Sequence, residues 1–151
     1  MLPGLSIITD VRLAAGRAEA ARQAAGECIH AMRSDETKIV YEPIVSLARA
    51  AVDVGLGADL VAVLETKSET LWQRIGIALC AGRFADAADL MAETGLRPDE
   101  ARVRLRAAEA LVLDGDRVSA DEQLHHALAF FRAVDASAFV REGERLLAAT
   151  A

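Results

Sequence analysis

Aromatic residues and prolines are scarce in this 151-residue chain. Aromatic side chains make up 4% of the residues, and there are three prolines. Few prolines favour long helices, because proline removes a backbone donor and interrupts a helix interior. Strand signals are also nearly absent, since the richest β-branched run, Ile39-Val40-Tyr41, is too short to define a strand. These shortages favour an all-helical fold.

The chain has only two cysteines and no long apolar run. Cys28 and Cys80 stand far apart, and neither has the spacing of a metal ligand. We expect both to be reduced, partly buried small hydrophobic residues in a cytoplasmic protein. No stretch approaches the roughly 18 apolar residues of a membrane span. The N-terminus lacks a basic region and Asp10 interrupts its apolar start, so no signal peptide is predicted.

Positive charge is also in deficit, with a net charge of −6. Phosphate contacts need a basic patch, so this balance argues against a nucleic-acid partner. Hydrophobic residues are nevertheless 53% of the chain, and most are alanine, leucine and valine. Alanine has the highest helix propensity, and small side chains let helices approach closely. The chain is long enough for one domain, 1–151, with a sizeable core.

A short glycine phrase recurs where one apolar helical stretch ends and the next begins. The clear copies are Gly16-Arg17-Ala18-Glu19-Ala20-Ala21, Gly82-Arg83-Phe84-Ala85-Asp86-Ala87-Ala88 and Gly115-Asp116-Arg117-Val118-Ser119-Ala120, with a weaker one at Gly57-Ala58-Asp59-Leu60. Gly82 and Gly115 are 33 residues apart, and Gly16 and Gly82 are 66 apart, twice that spacing. A period near 33 residues with two helices per period is typical of a helical-hairpin array.

The apolar spacing predicts nine helices, the first from about Gly4 to Ala15. They form the approximate hairpins 4–33, 42–65, 69–95 and 98–133, followed by an unpaired helix 137–149 that caps the stack. Pro43 and Pro98 suit the first turn of a helix. Thr66 and Glu69 have the spacing of a capping box, which predicts that Thr66 caps the fifth helix.

The glycine phrase resembles the tetratricopeptide-repeat family. In that family a glycine ends the first helix of each hairpin, an aromatic residue follows two positions later, and an alanine comes five positions after the glycine. Gly82, Phe84 and Ala87 match all three positions. Gly115 with Ala120, and Gly16 with Ala21, match two. The resemblance implies antiparallel hairpins stacked in a right-handed superhelix. The family also has a large residue early in the first helix of each hairpin. In the fourth repeat this position is Arg104, which departs from the family pattern.

A second resemblance is to the C-terminal helical repeats of large actinobacterial regulators that join an ATPase to a LuxR-type DNA-binding domain or a nucleotide-cyclase domain. The segment Glu42-Pro43-Ile44-Val45-Ser46-Leu47-Ala48-Arg49-Ala50-Ala51 is similar to a common opening of such tails. The stretch from Ala127 to Val134, followed by Arg141 to Ala148, is similar to their final hairpin and cap. This resemblance implies that the chain is either a fragment of such a regulator or a stand-alone relic of one. The ATPase, cyclase and DNA-binding parts are not in this chain, so their activities are not implied for it.

The residues that carry chemistry do not assemble into a catalytic or metal pattern. His125 and His126 are adjacent on a predicted helix, so their side chains diverge and cannot share a metal. Glu122 lies one turn before His126, but a third ligand is not evident. The glycines follow helices and not strands, so they are helix ends and not a phosphate loop. We therefore predict no enzyme activity, no cofactor and no metal.

In tetratricopeptide-like arrays the first helix of each hairpin lines a concave groove. The resemblance therefore implies that this groove is the candidate partner-binding surface. Its exposed positions would be Glu69, Trp72, Gln73, Arg102, Arg106 and Glu109. Arg102, Arg104 and Arg106 lie on one helix and suit the capture of carboxylates in a peptide C-terminus or acidic segment. The simpler interpretation is that these arginines pair with neighbouring acids and that Trp72 fills the core.

The sequence therefore predicts a non-enzymatic scaffold that binds a protein or peptide, with neither nucleic acid nor membrane as partner. Two alternatives remain. A sensory module would hold a small ligand in a closed, mostly apolar pocket with a few convergent polar groups. A homo-oligomerisation module would show a large apolar patch and a homodimer in solution.

Overall fold

A computed structural model describes residues 16–34 and 43–150, and in these ranges every regular element is an α-helix. The predicted all-α fold is therefore confirmed. The first predicted helix and most of the connection before Pro43 lie outside the described residues. The helices are α1 (Ala18–Ser34), α2 (Pro43–Asp53), α3 (Gly57–Leu64), α4 (Leu71–Cys80), α5 (Phe84–Ala92), α6 (Arg97–Asp114), α7 (Arg117–Ala133) and α8 (Ser137–Thr150).

Most of the short turns between helices share one backbone conformation. A residue in the left-handed region stands two positions before the first residue of the next helix, as Gly82 (φ 73°) does before Phe84 and Gly115 (φ 79°) before Arg117. Asp135 takes this position before α8 with a φ of 54°, although it carries a side chain. In the weaker copy of the phrase it is Gly55 that is left-handed, and Gly57 is the first residue of α3.

One predicted cap is wrong. Thr66 does not cap α4, because its hydroxyl donates back to the carbonyl of Val63 at 2.7 Å and closes the end of α3. Thr70 caps α4 by accepting from the backbone N–H of Gln73 at 3.1 Å. Both threonines carry a cap-type side chain, so the local pattern fits either position and the actual start of α4 decides between them.

The chain divides into two compact units, with the boundary between Gly82 and Arg83. Unit 1 is the part up to Gly82 and contains α1–α4. Unit 2 begins at Arg83 and contains α5–α8. The boundary falls inside the predicted hairpin 69–95, so its two helices belong to different units. The single domain and the right-handed superhelix stay predictions.

In unit 1, α2 packs on α4 and α1 packs on α3, so alternate helices are in contact as well as neighbours. The core is formed by leucine, isoleucine and valine side chains together with the alanines of α1 and α2. Gly76 of α4 is buried where the side chains of Leu64 and Ile44 approach it. A Cβ there would lie 2.9 Å from Leu64 Cδ1 and 3.1 Å from Ile44 Cγ1. The tight packing of unit 1 therefore depends on this small residue.

In unit 2, α6 contacts α5, α7 and α8, and α7 also contacts α8. Ala87 and Ala120, the alanines of the glycine phrase, are fully buried. Phe131 of α7 stacks on Phe139 of α8 with ring centroids 4.6 Å apart. These contacts hold the last helix against α7, and α6 lies at the centre of the unit.

Candidate functional site

The candidate site is built around α6, whose polar side chains divide between two faces. Arg104 is 7% exposed. Arg102 and Arg106 lie about 200° from it on the helical wheel. Arg102 is exposed and Arg106 is half-buried. The predicted cluster of three arginines is therefore wrong, because one of them belongs to the interior of unit 2.

Arg104 joins three helices through its guanidinium group. Its Nε donates to Glu100 Oε1 at 2.8 Å, one turn earlier on α6. Its Nη1 donates to Gln123 Oε1 on α7 at 2.9 Å, and its Nη2 donates to Asp89 Oδ1 on α5 at 3.0 Å. Gln123 is also buried, so this hydrogen bond satisfies two interior polar groups at once.

A cleft of about 510 Å³ opens beside this buried arginine. It lies between the end of α5, the first two turns of α6 and the second half of α7. Half of its wall is alanine and phenylalanine, and the rest is mostly charged or polar. The lining residues are Ala92, Gly95, Arg97, Glu100, Ala101, Arg104, His126, Ala129, Phe130 and Ala133.

The other face of α6 carries Arg102, Arg106 and Glu109, the three candidates predicted for this helix. The Arg102 guanidinium lies over the Phe139 ring of α8, 5.3 Å from its centroid. The Arg106 guanidinium lies over the Phe84 ring of α5 at 5.4 Å. Each ring restricts the long side chain above it. We call these three residues and the two rings the arginine face.

Glu109 completes the arginine face with a carboxyl group that is half-buried and hydrogen-bonded to Glu142 of α8. Partial burial raises the pKa of Glu109, and the charge of Glu142 raises it further. Arg106 and Arg145 act in the opposite direction without cancelling the shift. The carboxyl pair therefore favours the protonated form of Glu109 at the contact between α6 and α8.

The candidates in unit 1 have different surroundings. Glu69 is exposed and Trp72 is half-buried. The predicted exposure of Gln73 is wrong, because its side chain is 7% exposed and its Nε2 donates to the carbonyl of Leu64 at 3.0 Å. Leu64 ends α3, and its carbonyl also accepts from the backbone N–H of Lys67 at 3.0 Å, so Gln73 adds a second hydrogen bond at this helix C-terminus.

The histidines of α7 and the two thiols differ in burial. His125 and His126 are exposed, and the described residues contain no group of three potential metal ligands. Burial raises the pKa of the Cys28 thiol to about 11 and that of Cys80 to about 12. Because the thiolate is the reactive form, both side chains are poor nucleophiles near neutral pH. No helix in the described ranges combines the length and the apolar character needed to cross a bilayer.

Sequence reasoning missed the cleft and the buried position of Arg104. One signal was available, since Arg104 occupies the position where the resembled family has a large residue packed in its first helix. A polar side chain at such a position requires interior partners, and Gln123 lies 19 residues further on, in the next helix. Comparison of the chain with protein-family models, curated proteins and solved structures finds no match.

Proposed function

We propose that this chain is a non-enzymatic, tetratricopeptide-like module that binds a protein or peptide through the arginine face. It acts in the cytoplasm as a regulatory part of a larger bacterial ATPase or transcriptional regulator, as its resemblances suggest. Neither nucleic acid nor a membrane is its partner. Its mechanism is surface complementarity on a preformed scaffold.

The observation that carries this proposal is the pairing of Arg102 with Phe139 and of Arg106 with Phe84. Arginine and aromatic residues are enriched among the side chains that dominate binding energy at interfaces. A guanidinium held over a ring also loses less side-chain entropy when a partner binds. The two stacked arginines therefore present ordered guanidinium groups, each with an apolar ring beside it, as recognition groups for the acidic side chains of a partner.

The packing of unit 2 supports a preformed face. The three residues of α6 stand at positions i, i+4 and i+7, and they are flanked by α5 on one side and α8 on the other. Alternate helices contact each other in both units, as α2 does with α4 and α6 with α8. This pattern is the one expected of stacked hairpins, which bind by their exposed helix faces.

The test is affinity purification from the cells that naturally make the chain, comparing wild type with a variant that combines Arg102→Gln and Arg106→Gln. We expect a partner that wild type retains and the variant loses by about tenfold or more, because charged hydrogen bonds at the centre of an interface are strong. The purified partner is then titrated against both forms to measure Kd.

The matched control combines Arg74→Gln on α4 and Arg141→Gln on α8, which removes the same charge from two other exposed positions. This control should keep the partner. If wild type and the Arg102/Arg106 variant retain the partner equally, the proposed face is contradicted. If the control loses the partner as much as the Arg102/Arg106 variant does, the effect depends on net charge alone.

Homo-oligomerisation is the second candidate, and a specific surface favours it. Leu113 and Val118 flank the turn at Gly115 and are 88% and 82% exposed. Large apolar side chains exposed together are typical of interaction surfaces. Light scattering coupled to size-exclusion chromatography decides this alternative. A concentration-independent monomer excludes it, and a dimer that Leu113→Ser with Val118→Ser returns to monomer supports it.

A further inference from the structure

We propose that the cleft in unit 2 binds a small organic acid, which is a function separate from the arginine face. Its carboxylate is held by Arg97 and Arg104, and its apolar portion lies on Phe130 and the neighbouring alanines. The cleft opens on the opposite side of α6 from Arg102, so ligand and partner use different residues.

The first argument is the unused hydrogen-bonding capacity of Arg104. A guanidinium group carries five N–H donors. Among the described residues, Glu100, Gln123 and Asp89 accept one hydrogen bond each, which leaves one donor on each terminal nitrogen without a protein acceptor. Arg104 is 7% exposed and lines the cleft, so an oxygen acceptor placed there would satisfy donors that are largely removed from bulk water.

The second argument is the presence of further donors at the wall of the same cleft. Arg97 is the first residue of α6, and His126 stands on α7. Both side chains are exposed, and neither has a hydrogen-bond or ion-pair partner within the part of the chain that the structure describes. Arg97 therefore keeps its charge and its donors available to a ligand, and His126 adds a ring nitrogen.

The third argument concerns the apolar part of the wall. Phe130 is half-buried and stands among Ala101, Ala129 and Ala133, which present methyl groups to the cleft. A volume of about 510 Å³ lies within the range of small-molecule sites. A ligand with an aromatic or short aliphatic body can therefore cover the apolar wall while its polar group reaches the arginines.

Charge favours a carboxylate over a phosphate. Glu100 offsets one of the two arginines that line the cleft, so these three side chains together carry a single excess positive charge. Asp89 also pairs with Arg104, but its side chain is 70% exposed, so solvent screens its charge and the cleft keeps part of this excess. A monoanion matches such a site better than a phosphate, whose charge of about −1.5 to −2 near neutral pH exceeds that of the lining.

The test is a titration of the full chain with phenylacetate, followed by the backbone amide resonances in two-dimensional NMR. We expect saturable shifts at Ala101, Ala129 and Phe130, with a Kd on the order of 1 mM. Phenylacetamide has the same shape without the charge, and inorganic phosphate is an oxyanion without the apolar body. Both should bind about tenfold more weakly than phenylacetate or not at all.

Three variants locate the binding. Arg97→Gln should weaken phenylacetate binding about tenfold, and Ala129→Leu should abolish it by filling the cleft. Arg141→Gln changes an exposed arginine on α8, outside the cleft, and should leave the affinity unchanged. All three positions are at the surface or half-exposed, so dispersed spectra of the free variants confirm that they fold.

Several results would overturn this proposal. They are the absence of saturable shifts, equal binding of phenylacetamide or phosphate, and an unchanged affinity in Arg97→Gln. None of them bears on the arginine face, which is tested with other variants and a macromolecular partner.

Discussion

Arg104 and Gln123 are paired inside unit 2, with Arg104 Nη1 donating to Gln123 Oε1 at 2.9 Å. Each side chain is at most 9% exposed. The pair joins α6 to α7 beside the proposed ligand cleft. It also explains how an arginine is accommodated in a core made largely of alanine and leucine, since its charge is balanced by Glu100 and Asp89.

Removing one partner of this pair should be more destabilising than removing both. Arg104→Met leaves the buried Gln123 amide and the Glu100 carboxylate without their donor, and we expect a loss of about 2–4 kcal/mol of unfolding free energy. Adding Gln123→Leu should recover at least about 1 kcal/mol. Urea denaturation measures both variants, with Arg141→Met at an exposed position on α8 as the control. A double variant no more stable than the single one would contradict the pairing.

The two repeat alanines, Ala87 and Ala120, should tolerate no larger side chain. Both are fully buried where unit 2 helices meet, so Ala87→Leu or Ala120→Leu should cost about 1–3 kcal/mol of unfolding free energy by overpacking. Ala148→Leu on the exposed side of α8 is the matched control. Thermal and urea denaturation give the comparison. Unchanged stability in the two buried variants would mean that the repeat register is wrong.

The turn before α8 offers a stabilising change. Asp135 has a φ of 54°, a region that costs free energy for a residue with a Cβ. Asp135→Gly should therefore raise the unfolding free energy by about 0.5 kcal/mol, whereas Gly115→Ala, at a φ of 79°, should lower it by about 1 kcal/mol. Denaturation of both variants in urea tests the pair. A change of the same sign in the unfolding free energy for both substitutions would argue against the left-handed turns.

Glu109 should make stability depend on pH. Because its pKa is raised in the folded state, its stabilising contribution is complete below the ordinary pKa of a glutamate and is lost as the pH rises through the folded pKa. Glu109→Gln keeps an uncharged side chain, so it should be more stable than wild type near pH 7 and similar to it near pH 4. Urea midpoints at the two pH values measure this difference.

Glu122→Gln, at an exposed position on α7, is the control for this titration and should show no comparable change between the two pH values. A Glu109→Gln effect that is equal at both pH values would show that the substitution acts through packing and not through the charge of the carboxyl group.

The helices and most of their ends were predictable because they depend on neighbouring residues. The glycine phrase placed the turns at Gly82 and Gly115 correctly, since an αL residue followed by a helix start is a local preference. The predicted cap at Thr66 was wrong because the local sequence does not decide which threonine caps α4. Thr66 and Thr70 are both good caps, and only the end of α3, whose Val63 carbonyl takes the Thr66 hydroxyl, distinguishes them.

The side chains of the candidate site were less predictable. Gln73 and Arg104 look like surface residues in the sequence, yet each is buried because a partner from another helix is present: the Leu64 carbonyl for one and Gln123 for the other. Arg102, Arg106 and Glu109 were predicted to be exposed on one face, and they do share a face of α6. Their contacts with Phe84, Phe139 and Glu142 required the packing of α5 and α8.

Helix content and turn positions of this protein thus follow from local preferences, which act over a few residues and are visible in the order of the amino acids. Burial of Arg104, the cleft beside it and the rings under Arg102 and Arg106 depend on residues that stand far apart in the chain. The contacts that stabilise them form only when α5, α7 and α8 pack against α6. Tertiary packing therefore selects which polar side chains become buried and which stay at the surface.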